Sequence, residues 1–94
     1  MAPVTMYTKT YCPHSKHARE LMRAKGVSFD DIDVTEDESR FAEMVERSGG
    51  GRTVPQVFIG GRHVGGADDL DALDERGELD GMLGRDAGAG QSPA

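Results

Sequence analysis

Cys12 is the single cysteine of the 94-residue chain, and its neighbours are those a reactive thiol needs. The nucleophile in thiol chemistry is the thiolate, so reactivity depends on lowering a pKa that is about 8.5 in a free cysteine. Cys12 stands between the stretch Val4-Thr5-Met6-Tyr7-Thr8 and Pro13, and proline is favoured in the first turn of a helix. A cysteine at a helix start faces backbone N–H groups that lack helical partners and carry about half a positive charge. Lys9, His14, Lys16 and His17 add cationic or titratable groups close by in sequence. A lone cysteine is more often a small buried hydrophobe; the succession of strand, loop, cysteine, proline and helix points instead to a nucleophile. One cysteine excludes an internal disulfide. His14, His17 and His63 have no third ligand at metal-binding spacing, so no metal site is read.

The elements that must position Cys12 follow from periodicity. Residues 4–8, β-branched and aromatic, predict a strand. Ala18, Leu21 and Met22 repeat at helical spacing over 13–25, and Gly26 stops that helix. Partial alternation of Val27, Phe29, Ile32 and Val34 predicts a second strand over 28–33. Thr35 with Glu38 three residues on has the form of a capping box. Phe41, Met44 and Val45 then mark one face of a second helix reaching Ser48, ended by Gly49-Gly50-Gly51. Residues 54–59 predict a third strand, and Gly60-Gly61 a hairpin turn into a fourth over 62–64. A third helix opens at Ala67 or Asp68 and carries Leu70 and Leu73; Leu79, Met82 and Leu83 mark a last short helical turn. The order β-α-β-α-β-β-α predicts an α/β fold. It combines a parallel first pair, an antiparallel hairpin and a four-stranded mixed sheet flanked by helices. Residues 1–84 form one domain; 85–94, rich in Gly and Ala with no apolar period, predict a disordered tail.

Eleven Lys and Arg against 17 Asp and Glu give a net charge of −6, which argues against nucleic acid as a partner. No apolar run approaches the roughly 20 residues of a membrane helix, and the first residues lack the pattern of a signal peptide. The expectation is no membrane partner and a cytoplasmic location.

Three motifs together resemble the glutaredoxin family. Thr8-Lys9-x-x-Cys12-Pro13-His14-Ser15 is similar to that family's lead-in and its C-P-Y-C or C-P-Y-S active site, with His14 where tyrosine is usual. Thr53-Val54-Pro55-Gln56-Val57-Phe58-Ile59 is similar to its T-V-P-Q-V-F-I stretch, and Gly65-Gly66-Ala67-Asp68-Asp69-Leu70 to its G-G-x-D-D-L stretch. They stand in the family's order and spacing over about residues 3–84, most like bacterial members of the glutaredoxin-three type. The resemblance implies a thioredoxin-like fold and a glutathione-dependent thiol–disulfide oxidoreductase. Its co-substrate would be glutathione, and its partners glutathionylated or disulfide-containing proteins met as a monomer. Cys12 would be the catalytic nucleophile. Pro55 would be cis, with the Val54 backbone pairing the cysteinyl part of glutathione. Lys9 would meet the glycine carboxylate with help from Arg52, next to Thr53. Gly66, Ala67 and Asp68 would hold the γ-glutamyl group. His14 would line the groove and, unlike tyrosine, titrate near neutral pH.

Ser15 departs from many relatives, which carry a resolving cysteine there. Whether the serine is native or replaces a cysteine of a dithiol parent, it cannot resolve a mixed disulfide, so the implied chemistry is monothiol deglutathionylation. An alternative within the same resemblance is a dimer holding a [2Fe–2S] cluster through two Cys12 thiolates and two glutathiones. Pro13 after the cysteine, where the cluster-binding class has Gly-Phe-Ser, and the absence of tryptophan argue against it. A redoxin fed by thioredoxin reductase is disfavoured by Lys9, Asp68 and Thr53-Val54-Pro55.

Overall fold

Strands and helices alternate in the computed structural model, which describes residues 2–84: β1 (Val4–Thr8), α1 (Pro13–Ala24), β2 (Asp30–Asp33), α2 (Glu38–Arg47), β3 (Gln56–Ile59), β4 (Arg62–Gly65), α3 (Ala67–Glu75) and α4 (Leu79–Leu83). The expected tail over 85–94 lies outside the described residues. The sheet runs β2-β1-β3-β4. β1 is parallel to β2 and antiparallel to β3, and β3 and β4 form an antiparallel hairpin, so the sheet is mixed as predicted. The final apolar residues form a separate helix, α4, beyond the predicted order.

Side chains alternate across a strand, so the central strands feed two cores. Met6, Val57 and Ile59 face Ala18 and Met22 of α1, Leu70 of α3, and Leu79 and Leu83 of α4. Tyr7 and Phe58 face Val34 and Met44 on the other side. A fully buried Leu or Met contributes roughly 1.5–3 kcal/mol of transfer free energy. Met22, Leu70, Leu79 and Leu83 are all fully buried, and this packing fixes α1 relative to the sheet. The loop between β1 and α1 is therefore held at both ends.

Three boundaries differ from expectation, each for a local reason. α2 is capped by Asp37, which accepts from the Arg40 N–H at 3.0 Å, not by Thr35. The Thr35 Oγ1 is occupied by the Thr10 N–H at 2.9 Å, a contact from the β1–α1 loop. β3 starts at Gln56 rather than Val54, because proline has no N–H for a ladder. β2 starts at Asp30 because its pairing with β1 begins there, opposite Thr5. Among the described residues, no helix is long and apolar enough to cross a membrane.

Candidate active site

Cys12 is the N-cap residue of α1, with extended backbone (φ −86°, ψ 118°) and Pro13 after it as the first helical residue. No side chain caps this helix, so its first N–H groups are left to the thiol. Burial pushes the Cys12 thiol up. Against it act the Ser15 N–H, the Ser15 hydroxyl, the His14 N–H and the positive charge of Arg19, and the net result is a lowered pKa. The helix-start field expected from sequence is present. The cations differ: the charge that counts belongs to Arg19, one turn along α1, rather than to Lys9, Lys16, His14 or His17. Arg19 is fixed by Asp31 at 2.7 Å and donates to the Lys9 carbonyl at 3.3 Å. His17 turns away to Asp71 at 2.8 Å, and this hydrogen bond raises its own pKa.

Ser15 is fully buried. Its Oγ accepts from the Lys9 N–H at 3.3 Å, which leaves its own hydrogen for the Cys12 sulfur. The Cys12 thiol in turn donates to the Val54 carbonyl at 3.7 Å, so the two conserved-looking segments of chemistry, 12–15 and 53–55, meet at the sulfur.

From Val54 a groove of about 390 Å³ opens, lined by His14, Thr53, Pro55, His63, Gly66, Ala67 and Asp68. The Val54–Pro55 peptide bond is cis. Gln56, buried beneath it, donates to the Thr53 carbonyl at 3.0 Å and accepts from His63 Nε2–H at 2.7 Å. At the far end Gly65 adopts φ +125°, and a Cβ there would lie 2.2 Å from Asp69 Oδ2. Asp69 uses that oxygen to accept from the Gly66 N–H at 2.9 Å. Asp69 is therefore the residue that closes the start of α3, while Asp68 stays exposed at the groove wall.

On the other side of the sulfur, Lys9 and Arg52 converge on one ring. Lys9 Nζ lies 5.8 Å and Arg52 Cζ 5.4 Å from the Phe41 centroid. The sequence placed Lys9 in the site and left the path of Arg52 through the glycine turn open; the structure brings the two together. Sequence reasoning missed four residues. Arg19 follows from one helical turn beyond Ser15. His63 lies opposite Phe58 in the hairpin, so strand pairing puts it on the same face as Gln56. Phe41 was read only as core, and Gln56 only as part of a motif.

Comparison with known proteins agrees with this arrangement. The glutaredoxin family model matches residues 4–64. The chain is 48% identical to glutaredoxin 3 of Escherichia coli K12 over 83 residues, 88% of this chain and 99% of that protein. It is 45% identical to a glutaredoxin of Pseudomonas aeruginosa PAO1 over 83 residues, covering 88% and 98%. Among solved structures, a buckwheat glutaredoxin–glutathione complex superposes with a TM-score of 0.80 at 31% identity, covering 88% of this chain and 77% of that one. The solution structure of a Brucella melitensis glutaredoxin superposes at 0.77 with 47% identity, covering 88% and 89%.

Proposed function

The chain belongs to the glutaredoxin family of glutathione-dependent thiol–disulfide oxidoreductases with a thioredoxin-like fold, and on that premise we propose that it removes glutathione from mixed disulfides by a monothiol route through Cys12. The observation that carries this reading is the pairing of Cys12 with Ser15. The thiol is shifted toward its nucleophilic form, and the group beside it is a buried hydroxyl that stabilises a thiolate but cannot form a disulfide.

The Cys12 thiolate attacks the glutathione sulfur of a glutathionylated protein. The protein–sulfur bond breaks, and the protein thiolate leaves and takes a proton from solvent. Cys12 is then joined to glutathione. The thiolate of a second glutathione attacks the glutathione sulfur of that adduct, oxidised glutathione departs, and Cys12 returns as thiolate. Two glutathione sulfurs are oxidised and one protein sulfur is reduced overall. A thiolate leaves faster when its pKa is low, so the same Ser15, His14 and Arg19 contacts favour both steps.

In this reading the groove holds glutathione along its length. Val54 offers its backbone to the cysteinyl residue, as a peptide docks on an exposed edge. The Gly66 and Ala67 backbone and the Asp68 carboxylate take the γ-glutamyl carboxylate and ammonium, a use of a helix start that favours anions. Lys9 and Arg52 take the glycine carboxylate, and Thr53 and His14 form walls. One Cys12 and one groove serve both steps, so a monomer suffices. A compartment rich in glutathione, such as the cytoplasm, suits a reaction that consumes it.

The test is glutathione-dependent turnover of a small glutathione mixed disulfide by the protein and by Cys12→Ser. Turnover that disappears in the variant is the expected result. Equal turnover in both overturns the reading. No turnover in either, with visible absorbance after anaerobic reconstitution with iron and sulfide, supports the cluster-holding alternative instead.

A further inference from the structure

Lys9 and Arg52 carry like charges, come from separate loops, and sit over a single aromatic ring. Among the described residues neither pairs with a carboxylate, although the chain holds 17 Asp and Glu. Carboxylates are close at hand: Lys9 and Phe41 also line a second cavity of about 580 Å³ whose other walls include Glu36, Asp37 and Glu38. A flexible lysine beside three acids, with its four-carbon stem unrestrained, swings toward them. What lies between is Phe41. Its ring is half-buried, anchored on α2 against the cluster of Tyr7, Val34, Met44 and Phe58. The face of an aromatic ring attracts cations within about 6 Å.

We propose that Phe41 is a positioning residue, whose ring holds Lys9 and Arg52 together as one carboxylate clamp and keeps Lys9 out of the acidic cavity beside it. This rests on the reading that the groove takes glutathione, and it names the part of the site that selects a C-terminal carboxylate. The ring offsets the repulsion between the two cations before the ligand arrives. The incoming carboxylate then meets a preformed pair and does not have to recruit each side chain from solvent. Preorganisation of this kind acts on binding of the anion and leaves the sulfur chemistry at Cys12 untouched.

The experiment compares two co-substrates, glutathione and the same tripeptide with its glycine carboxylate converted to the carboxamide, in the protein, Phe41→Leu and Phe41→Tyr. The wild-type protein prefers glutathione to the amide. Phe41→Leu raises the KM for glutathione about three- to tenfold, leaves kcat in place and changes the KM for the amide little, so that its preference collapses. Phe41→Tyr keeps the ring and restores the preference. A Phe41→Leu protein that loses both co-substrates equally, or neither, overturns the proposal, because a packing defect has no reason to recognise a carboxylate. So does a wild-type protein that treats the two alike. Absence of turnover with glutathione in the wild-type protein strikes the functional reading itself, a result distinct from failure of the clamp.

Discussion

At one end of the groove the recognising groups belong mostly to the backbone: Gly65 at φ +125°, the Gly66 and Ala67 amides, and a helix start closed by Asp69. At the other end they are the tips of Lys9 and Arg52, long exposed side chains steadied by Phe41. Backbone geometry is set by the fold and tolerates little change. Side-chain cations are adaptable, screened by salt, and replaceable at modest cost. The first end should therefore fail abruptly when altered, and the second gradually.

The largest effect is expected from Gly65→Ala. A Cβ would meet Asp69 Oδ2 at 2.2 Å and Asp69 Cγ at 2.7 Å, in a backbone conformation that L side chains rarely adopt. Strain of this sort costs roughly 1–3 kcal/mol, which is about 10 °C in Tm for a domain of this size. The KM for glutathione should rise about tenfold or more as the Gly66 and Ala67 amides move, a figure equivalent to about 1.4 kcal/mol of lost binding. Thermal melts and steady-state kinetics on the same preparation check both. Unchanged Tm and KM would break the contrast between the two ends.

Asp68→Asn asks whether a side chain at the backbone end also contributes. The capping oxygen is that of Asp69, so stability should hold while the KM for glutathione rises about tenfold, in line with one hydrogen bond to a charged group. A fall in Tm with KM unaltered would make Asp68 a structural residue. Next in size is Lys9→Gln. Its KM should rise about threefold at low ionic strength, and the gap from wild type should narrow as salt approaches about 0.5 M. The defect of Gly65→Ala should persist at every salt concentration, so a salt titration of the two variants separates the ends directly.

The two ends were also unequally legible in the sequence. Gly65-Gly66 followed by Asp68-Asp69-Leu70 spells a turn and a helix start in linear order, so the backbone end could be read from local signals alone. Which aspartate closes the helix could not, because Asp68 and Asp69 both suit the first turn and only the rotamer decides. At the cationic end Lys9 was legible through its distance from Cys12. Arg52 was not, since Gly49 and Gly50 take φ of +73° and +111° and local pattern does not fix the path that follows. Helical periodicity marked Phe41 as buried but carries no information on which loops lie above it. The cap of α2 failed for the same reason: Thr35-x-x-Glu38 has the right form, yet the Thr35 oxygen was already taken by Thr10 from another loop. Around Cys12, nearness in sequence suggested Lys16 and His17, whereas helical geometry brought Arg19. Order of elements, sheet composition and the nucleophile are local or periodic properties; pairings between loops are not.

The smallest effect concerns what holds the cationic end in place. The loop carrying Lys9 is tied to the end of β2 by the Thr10 hydroxyl, which donates to Asp33 at 2.5 Å, while the Thr35 N–H donates to the same carboxylate at 2.8 Å. The Thr10 hydroxyl first, then the Thr35 hydroxyl and N–H, hold the Asp33 pKa at about 2, against an ordinary value of 3.8. Because the folded value is depressed, this contribution to stability is present above about pH 3.8 and is lost as pH falls through about 2. Asp33 is exposed, so solvent screening keeps the contribution small. Asp33→Asn should lower Tm by about 2 °C at neutral pH, and the difference from wild type should close between about pH 4 and pH 2 in melts followed by circular dichroism. Comparing the two proteins at each pH cancels the other carboxylates, among them Asp37 and Glu43, whose pKa values are also lowered. A difference that stays constant across that range would mean the Thr10 and Thr35 contacts stabilise through shape rather than charge. The gradual end of the groove would then rest on the same kind of fixed geometry as the abrupt one.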